Sequence, residues 1–178
     1  MERFSDKVLI KIAQIQLGRE AENIYQVIVV CSYGYPVVVK SLPLKDNKPF
    51  PTLHYLTCPF LRKEISKLEE KGLVKVLEEK IQTNLEFKKQ LFSAHEKVKK
   101  ERAELLTKEF GNTIWKEVLN KVGTGGLKDW TKVKCLHLHT ADFLAGINNP
   151  VGKEVINLLK KIECENIYCR RLIQEDLM

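Results

Sequence analysis

The stretch from Tyr25 to Ser41 restricts the fold more than any other part of the chain. Residues 25–31, YQVIVVC, are β-branched and apolar, the composition of a strand. Ser32-Tyr33-Gly34-Tyr35-Pro36 is turn chemistry, and residues 36–41, PVVVKS, return as a second strand. An isolated hairpin is marginal in water, so other elements must cover this one. Nearly all the remaining sequence offers helices. The expected class is α+β: a small antiparallel N-terminal sheet, hairpin about 25–41, packed against a mainly helical remainder.

The helices are marked by their ends. Residues 6–17 place Val8, Leu9, Ile12, Ile15 and Leu17 near helical spacing, and Gly18 stands where a C′ glycine belongs. Pro43, Pro49 and Pro51 make residues 42–52 an extended loop. A short strand follows, then a helix with Thr57 or Cys58 at its N-cap, Pro59 near N1 and Gly72 at its end. Residues 73–81 fit a helix or a strand. Thr83-Asn84-Leu85-Glu86 has capping-box spacing and launches a long helix to about 110. Leu91, Phe92, Val98, Leu105 and Leu106 form its buried face, and His95 and Arg102 fall on that same face. A short helix over 113–121 and the loop Gly123-Thr124-Gly125-Gly126 come next. Asp129 is placed to cap a helix from 130 to about 145, and Asn149-Pro150 starts another to about 162. The tail from about 163 is expected to be less ordered. The 178 residues suit one domain, 1–178.

Composition removes several classes of function. The opening MERFSDKVLIKIAQIQ reads as an amphipathic helix and not as a signal peptide, so the expected location is cytoplasmic. No window approaches the ~20 apolar residues that span a bilayer. The net charge of +7 permits an anionic partner, either a small molecule or nucleic acid. The excess is mostly lysine on a glutamate-rich helical background, which is the pattern of a solvated surface. Five cysteines in a reducing compartment are buried hydrophobes, metal ligands or reactive thiols.

Chemistry concentrates at Cys135-Leu136-His137-Leu138-His139. On a helix, Cys135 and His139 share a face, with Asp142 one turn on, while His137 points elsewhere. On a strand, all three of Cys135, His137 and His139 share a face. Thiolate and imidazole together suit zinc or iron, or a nucleophilic thiol beside a base. The same residues also fit a buried cysteine and a histidine donating to a backbone carbonyl. Cys58, at a helix start, is a second thiol favoured in its anionic form. If the hairpin lies beside it, Cys31, Cys58, Cys135 and His139 make a four-ligand set. The catalytic candidates are Cys58, Cys135 and His139. Gly123, Gly125 and Gly126 suggest an amide nest, which His95 and Arg102 would complete as an anion site. A plain interhelical linker and a structural arginine are the alternatives.

Cys31-x-Tyr33-Gly34-Tyr35-Pro36, the block from Pro49-Phe50-Pro51-Thr52 to Leu56-Thr57-Cys58-Pro59, His95 with Arg102, Gly123-x-Gly125-Gly126, Lys134-Cys135-Leu136-His137-x-His139 and Asn149-Pro150-x-Gly152 go together. This combination resembles the bacterial domain-of-unknown-function family 501, over about 15–159. Val30 departs from the arginine often found there in the family. The resemblance carries no activity. It implies that Cys31, Cys58, His95, Arg102, Cys135, His137 and His139 belong to family motifs, which favours a polar site. The function expected is a bacterial cytoplasmic protein with a Cys/His metal or reactive-thiol site. Two rivals remain: a hydrolase or transferase using a Cys–His pair and the glycine loop, and a basic protein binding RNA or an acidic partner.

Overall fold

A computed structural model describes residues 4–176 and has the expected α+β architecture. Helix α1 (Asp6–Leu17) ends on Gly18, whose φ of +65° lets its amide turn back onto Ile15. Strand β1 (Ile24–Val30) turns through residues 31–35 into β2 (Pro36–Ser41), and Cys31 N–H closes the turn on Tyr35 O at 2.9 Å. The proline loop holds one small antiparallel pair, β3 (Leu44–Lys45) and β4 (Lys48–Pro49). Asp46 and Asn47 supply its left-handed turn, a conformation short polar side chains tolerate. Strand β5 (His54–Leu56) pairs antiparallel with β2, giving the order β1-β2-β5.

Helix α2 (Pro59–Glu70) follows at once, with Cys58 at its N-cap. Residues 73–81 resolve as helix, in α3 (Leu73–Thr83), because Leu77 and Ile81 are one turn apart and both buried. The long helix α4 (Leu85–Phe110) is capped by Asn84, whose Oδ1 accepts from Phe87 N–H at 2.9 Å. The expected capping box on Thr83 does not form. That hydroxyl donates to Glu79 O, inside the preceding helix.

Helix α5 (Trp115–Asn120) and a single 3₁₀ turn, Thr124–Gly126, lead to α6 (Leu136–Leu144). This helix starts at Leu136, not at Trp130 as expected. Asp129 Oδ1 instead accepts from Thr131 N–H and Oγ1 in a local turn. The helix start is capped from outside the segment, by Glu69 Oε1 on Leu136 N–H at 2.6 Å. Helix α7 (Pro150–Leu158) begins as expected, with Asn149 Oδ1 accepting from Val151 and Gly152 N–H. It stops at Leu158, short of 162. The tail carries α8 (Tyr168–Asp176).

The three-stranded sheet is packed on both faces. Ala13 of α1 joins Ala21, Ile24 and Val39 on one side. On the other side, Val38 and Leu56 enter a larger core with Leu61, Ile65, Ile81, Leu91, Leu136 and Val151. Each such side chain, fully buried, contributes roughly 1.5–3 kcal/mol. Helices α6 and α7 are forced close by Gly152: a Cβ there would lie 2.2 Å from His139 O. Outside, lysines pair with glutamates, as in Lys67–Glu64, Lys80–Glu154 and Lys132–Glu78. Among the described residues, no helix is long and apolar enough to cross a membrane.

Candidate functional site

The residues singled out in the sequence separate into three places. The first is a buried polar seam beneath the sheet edge. Arg102 is 1 % exposed, and its guanidinium is occupied by the main chain. Nη1 donates to Pro51 O (2.8 Å) and Gly123 O (2.9 Å), and Nη2 to Leu119 O and Val122 O (both 2.6 Å). His95 Nδ1 accepts from Thr124 N–H at 3.0 Å, and its ring stacks on Trp130 with centroids 5.1 Å apart. Burial pushes the His95 imidazole down to about 4, so it is neutral at pH 7.

This geometry corrects the expected anion site. The charge on Arg102 is spent on carbonyls, and the amide of Thr124, at the centre of the glycine loop, is spent on His95. Gly123 is small because a Cβ would lie 2.5 Å from His95 Nδ1, and Gly125 because one would lie 2.3 Å from Leu138. Gly126 has φ +85° and sits against Pro51. The loop is built for close approach to neighbouring side chains.

His139 belongs to the same seam. It is fully buried, its Nδ1 accepts from Asn149 Nδ2 at 3.0 Å, and burial lowers its basicity. It lies edge-on to His95 at 6.0 Å. Asp142 is also fully buried, with Oδ1 2.9 Å from His54 Nδ1 and Oδ2 accepting from Thr124 Oγ1. The pairing of Cys135 with His139 expected on a helix therefore does not form. Cys135 precedes α6 in extended backbone (φ −163°, ψ 155°), so the i,i+4 relation never applies.

The second place is a cleft of about 550 Å³ between β5, α2 and the start of α6. That is the size of a small-molecule site. Arg62, Lys63 and Lys134 line it together with His54, Ser66, Cys135 and His137, and no carboxylate does so among the described residues. Lys134 Nζ is steadied by Gly125 O at 3.0 Å. Behind Cys135 and His137 of its wall stands Glu69, and one ligand atom of each of these three residues lies within 4.8 Å of the others. All three residues are half-buried.

The tautomer of His137 follows from its neighbours. Nε2 is 3.0 Å from Arg62 O, which can only accept. Ser66 Oγ, 3.4 Å away, already gives its proton to the same carbonyl. Nε2 therefore carries hydrogen, and neutral His137 has its lone pair on Nδ1. Nδ1 stands 3.2 Å from Glu69 Oε1, with the Cys135 thiol alongside. A nitrogen, an oxygen and a sulfur, all electron-rich, converge on one point. Such a set is held together by a hydrogen, carried on the Cys135 sulfur or on Nδ1, or by a metal ion. The pull is visible in the basicity of His137, which the hydrogen bond to Cys135 raises, helped by Arg62 O and Glu69 against the cost of burial.

The third place holds Cys31 and Cys58, away from this cleft. They line a small cavity beside α8 together with Cys164 and Cys169. The expected set of Cys31, Cys58, Cys135 and His139 is thus divided among three sites, because α6 begins beyond Cys135 and turns His139 into the seam.

The family described as Protein of unknown function (DUF501) matches residues 27–157. The chain belongs to this family. No curated protein matches the chain, and no solved structure does. Within the DUF501 match lie Glu69, Cys135 and His137 and every cleft residue named above, while Cys164 and Cys169 fall outside it.

Glu69 is the site residue that sequence reasoning missed. It sits among the surface acids of α2 and looks like one of them. The readable signal was negative: residues 133–135, just before α6, offer no N-cap side chain of the usual kind, so a distant carboxylate had to supply it. His54 was passed over because it reads as a strand residue. Its partner Asp142 is 88 positions away.

Proposed function

We propose that this chain is a metalloprotein whose Glu69 carboxylate, Cys135 thiolate and His137 Nδ1 hold one divalent ion. Zinc fits best, since it takes oxygen, nitrogen and sulfur together in a tetrahedron. Iron(II) is the alternative ion. Three protein ligands leave a coordination position open, which is the pattern of a catalytic and not a structural zinc. Cys135 and His137 line the cleft, so an ion they hold would act there, where Arg62, Lys63 and Lys134 would receive an anionic small molecule. The ion would supply Lewis-acid polarisation or an activated water. The observation that carries this reading is the mutual 4.8 Å proximity of an oxygen, a nitrogen and a sulfur ligand, two of them from residues that line the cleft. The Nε2–H···O=C bond from His137 to Arg62 supports it as the outer partner that typically orients a ligating histidine. Five free thiols suit a reducing compartment such as the bacterial cytoplasm.

Metal content decides the matter. Chain purified without a histidine tag, then dialysed against zinc, is expected to retain an ion that Cys135→Ser and His137→Ala both lose. Equal zinc in all three samples would remove the proposal.

A second reading rests on the proximity of the Cys135 sulfur to the His137 ring and the Glu69 carboxylate. Cys135 and His137 would form a thiolate–imidazolium pair oriented by Glu69, acting as nucleophile and acid on the same anionic substrate. The two readings differ in one assay. Zinc should block alkylation of Cys135 by iodoacetamide if the ion binds there, and should leave the rate unchanged if the pair works alone.

A further inference from the structure

Four of the five cysteines lie together at the end of the molecule away from the cleft. Cys31 stands in the β1–β2 turn, Cys58 at the N-cap of α2, Cys164 before α8 and Cys169 in its first turn. They line one small cavity of about 20 Å³. That is room for roughly one water-sized particle. We propose that Cys31, Cys58, Cys164 and Cys169 form a second metal centre, a closed four-thiolate site for zinc.

Four features go beyond the presence of thiols. The N-termini of α2 and α8 both meet this cavity, and their unpaired amides favour anionic sulfur. Gln16 is buried and aims its side-chain N–H at Cys169 Sγ from 3.2 Å, while Pro36 O takes the same amide nitrogen at 3.0 Å. An N–H···S bond of this kind is worth most when the sulfur is charged. The tail is also anchored at the required place. Glu163 accepts from Ser32 N–H at 2.8 Å and from Ser32 Oγ at 2.6 Å, which ties the residue before Cys164 to the residue after Cys31. Between the two tail cysteines, Ile167 takes a φ of +48°, a left-handed conformation that a β-branched residue adopts only under compulsion.

Zinc with four Zn–S bonds of ~2.3 Å sets the sulfurs roughly 3.8 Å apart. Among the described residues no three of these sulfurs lie within 4.8 Å of one another, so the cysteine side chains close in on the ion when it binds. The step is ligand exchange without redox change: one Zn²⁺ enters, four thiols become thiolates, and four protons leave to solvent. Burial pushes the Cys58 thiol up to about 11, with Cys169 and Cys31 adding to the rise. The ion is what makes four neighbouring thiolates tolerable at pH 7. With four protein ligands this centre leaves no open position and serves structure: it fastens a tail outside the family match to two motif cysteines inside it.

The test is zinc stoichiometry of the full, tag-free chain in the wild type, Cys135→Ser and Cys164→Ser/Cys169→Ser forms. If both centres exist, the wild type binds two ions and each variant one. If only the thiolate centre exists, Cys135→Ser matches the wild type at one ion and the double variant binds none. Equal binding by the wild type and the double variant overturns the proposal. Should the double variant fail to fold, cobalt(II) titration of the wild type replaces it. The expected spectrum has the strong sulfur-to-cobalt charge-transfer bands of a four-thiolate tetrahedron, and limited proteolysis should slow beyond residue 160. A spectrum with at most one sulfur ligand and an unchanged tail would equally overturn it.

Discussion

Replacing Arg102 by Met removes a buried cation and leaves four carbonyls, those of Pro51, Leu119, Val122 and Gly123, without their donor. Each bond from a charged donor is worth about 1.5–3 kcal/mol taken alone. The sum overstates the loss, because Met no longer carries the cost of burying a guanidinium, which already depresses Arg102 to about 10. Removing one partner from a buried charged network typically costs about 3–5 kcal/mol, below the roughly 6–12 kcal/mol of the four-bond sum. We therefore expect Arg102→Met to lose about 4 kcal/mol in urea unfolding at pH 7. In a chain of this size that lowers Tm by roughly 12 °C. Arg102→Lys should recover only part, since one ammonium cannot span four carbonyls in two directions. Lys63→Met, on the exposed cleft rim, serves as control and should stay within about 0.5 kcal/mol. A loss below about 1 kcal/mol for Arg102→Met, joined to weaker binding of inorganic phosphate, would refute the clamp and restore Arg102 as an anion ligand.

Acid should destabilise the fold through His95. Its folded value of about 4 lies below the ordinary 6.5, so the unfolded chain binds the proton more readily. Its contribution is present above pH 6.5 and is lost as the pH falls towards 4, amounting to about 3 kcal/mol there; His95→Gln should flatten that part of a urea-unfolding series from pH 7 to pH 4. Gly152→Ala pushes a methyl to within 2.2 Å of His139 O in backbone that cannot yield, so a loss of about 3 kcal/mol is expected by thermal unfolding. Gly146→Ala meets no neighbour within 4 Å and pays only for its φ of +91°, about 1 kcal/mol by the same assay. In the cleft, Lys134→Ala and Arg62→Ala together should weaken phosphate binding at least tenfold, read by calorimetry, while leaving zinc stoichiometry unchanged.

What the sequence made legible was whatever depends on local spacing. The hairpin followed from β-branched runs around a Gly34 turn, and α1 and α7 followed from Gly18 and Asn149-Pro150 at their ends. The start of α6 was not legible, because Asp129 had a nearer use for its carboxylate in Thr131 and the true cap came from Glu69 on another helix. That displacement moved Cys135 off the helix, which exchanged its partner from His139 to His137. The site was thus half-readable: its thiol and imidazole stood out by residue type, but its carboxylate did not. His95 and Arg102 were correctly seen as polar groups on an apolar face. Their roles depended on where the carbonyls of residues 119–123 turn, and periodicity carries no information on that.

The central claim is that a metal ion belongs among Glu69, Cys135 and His137. Anomalous diffraction at the zinc edge, from crystals of tag-free chain grown with zinc, tests it most directly. The account predicts a peak about 2.3 Å from Cys135 Sγ and about 2.0 Å from His137 Nδ1 and a Glu69 oxygen, facing the cleft. Zinc-loaded crystals with no peak there, and with Cys135 hydrogen-bonded directly to His137, would contradict it.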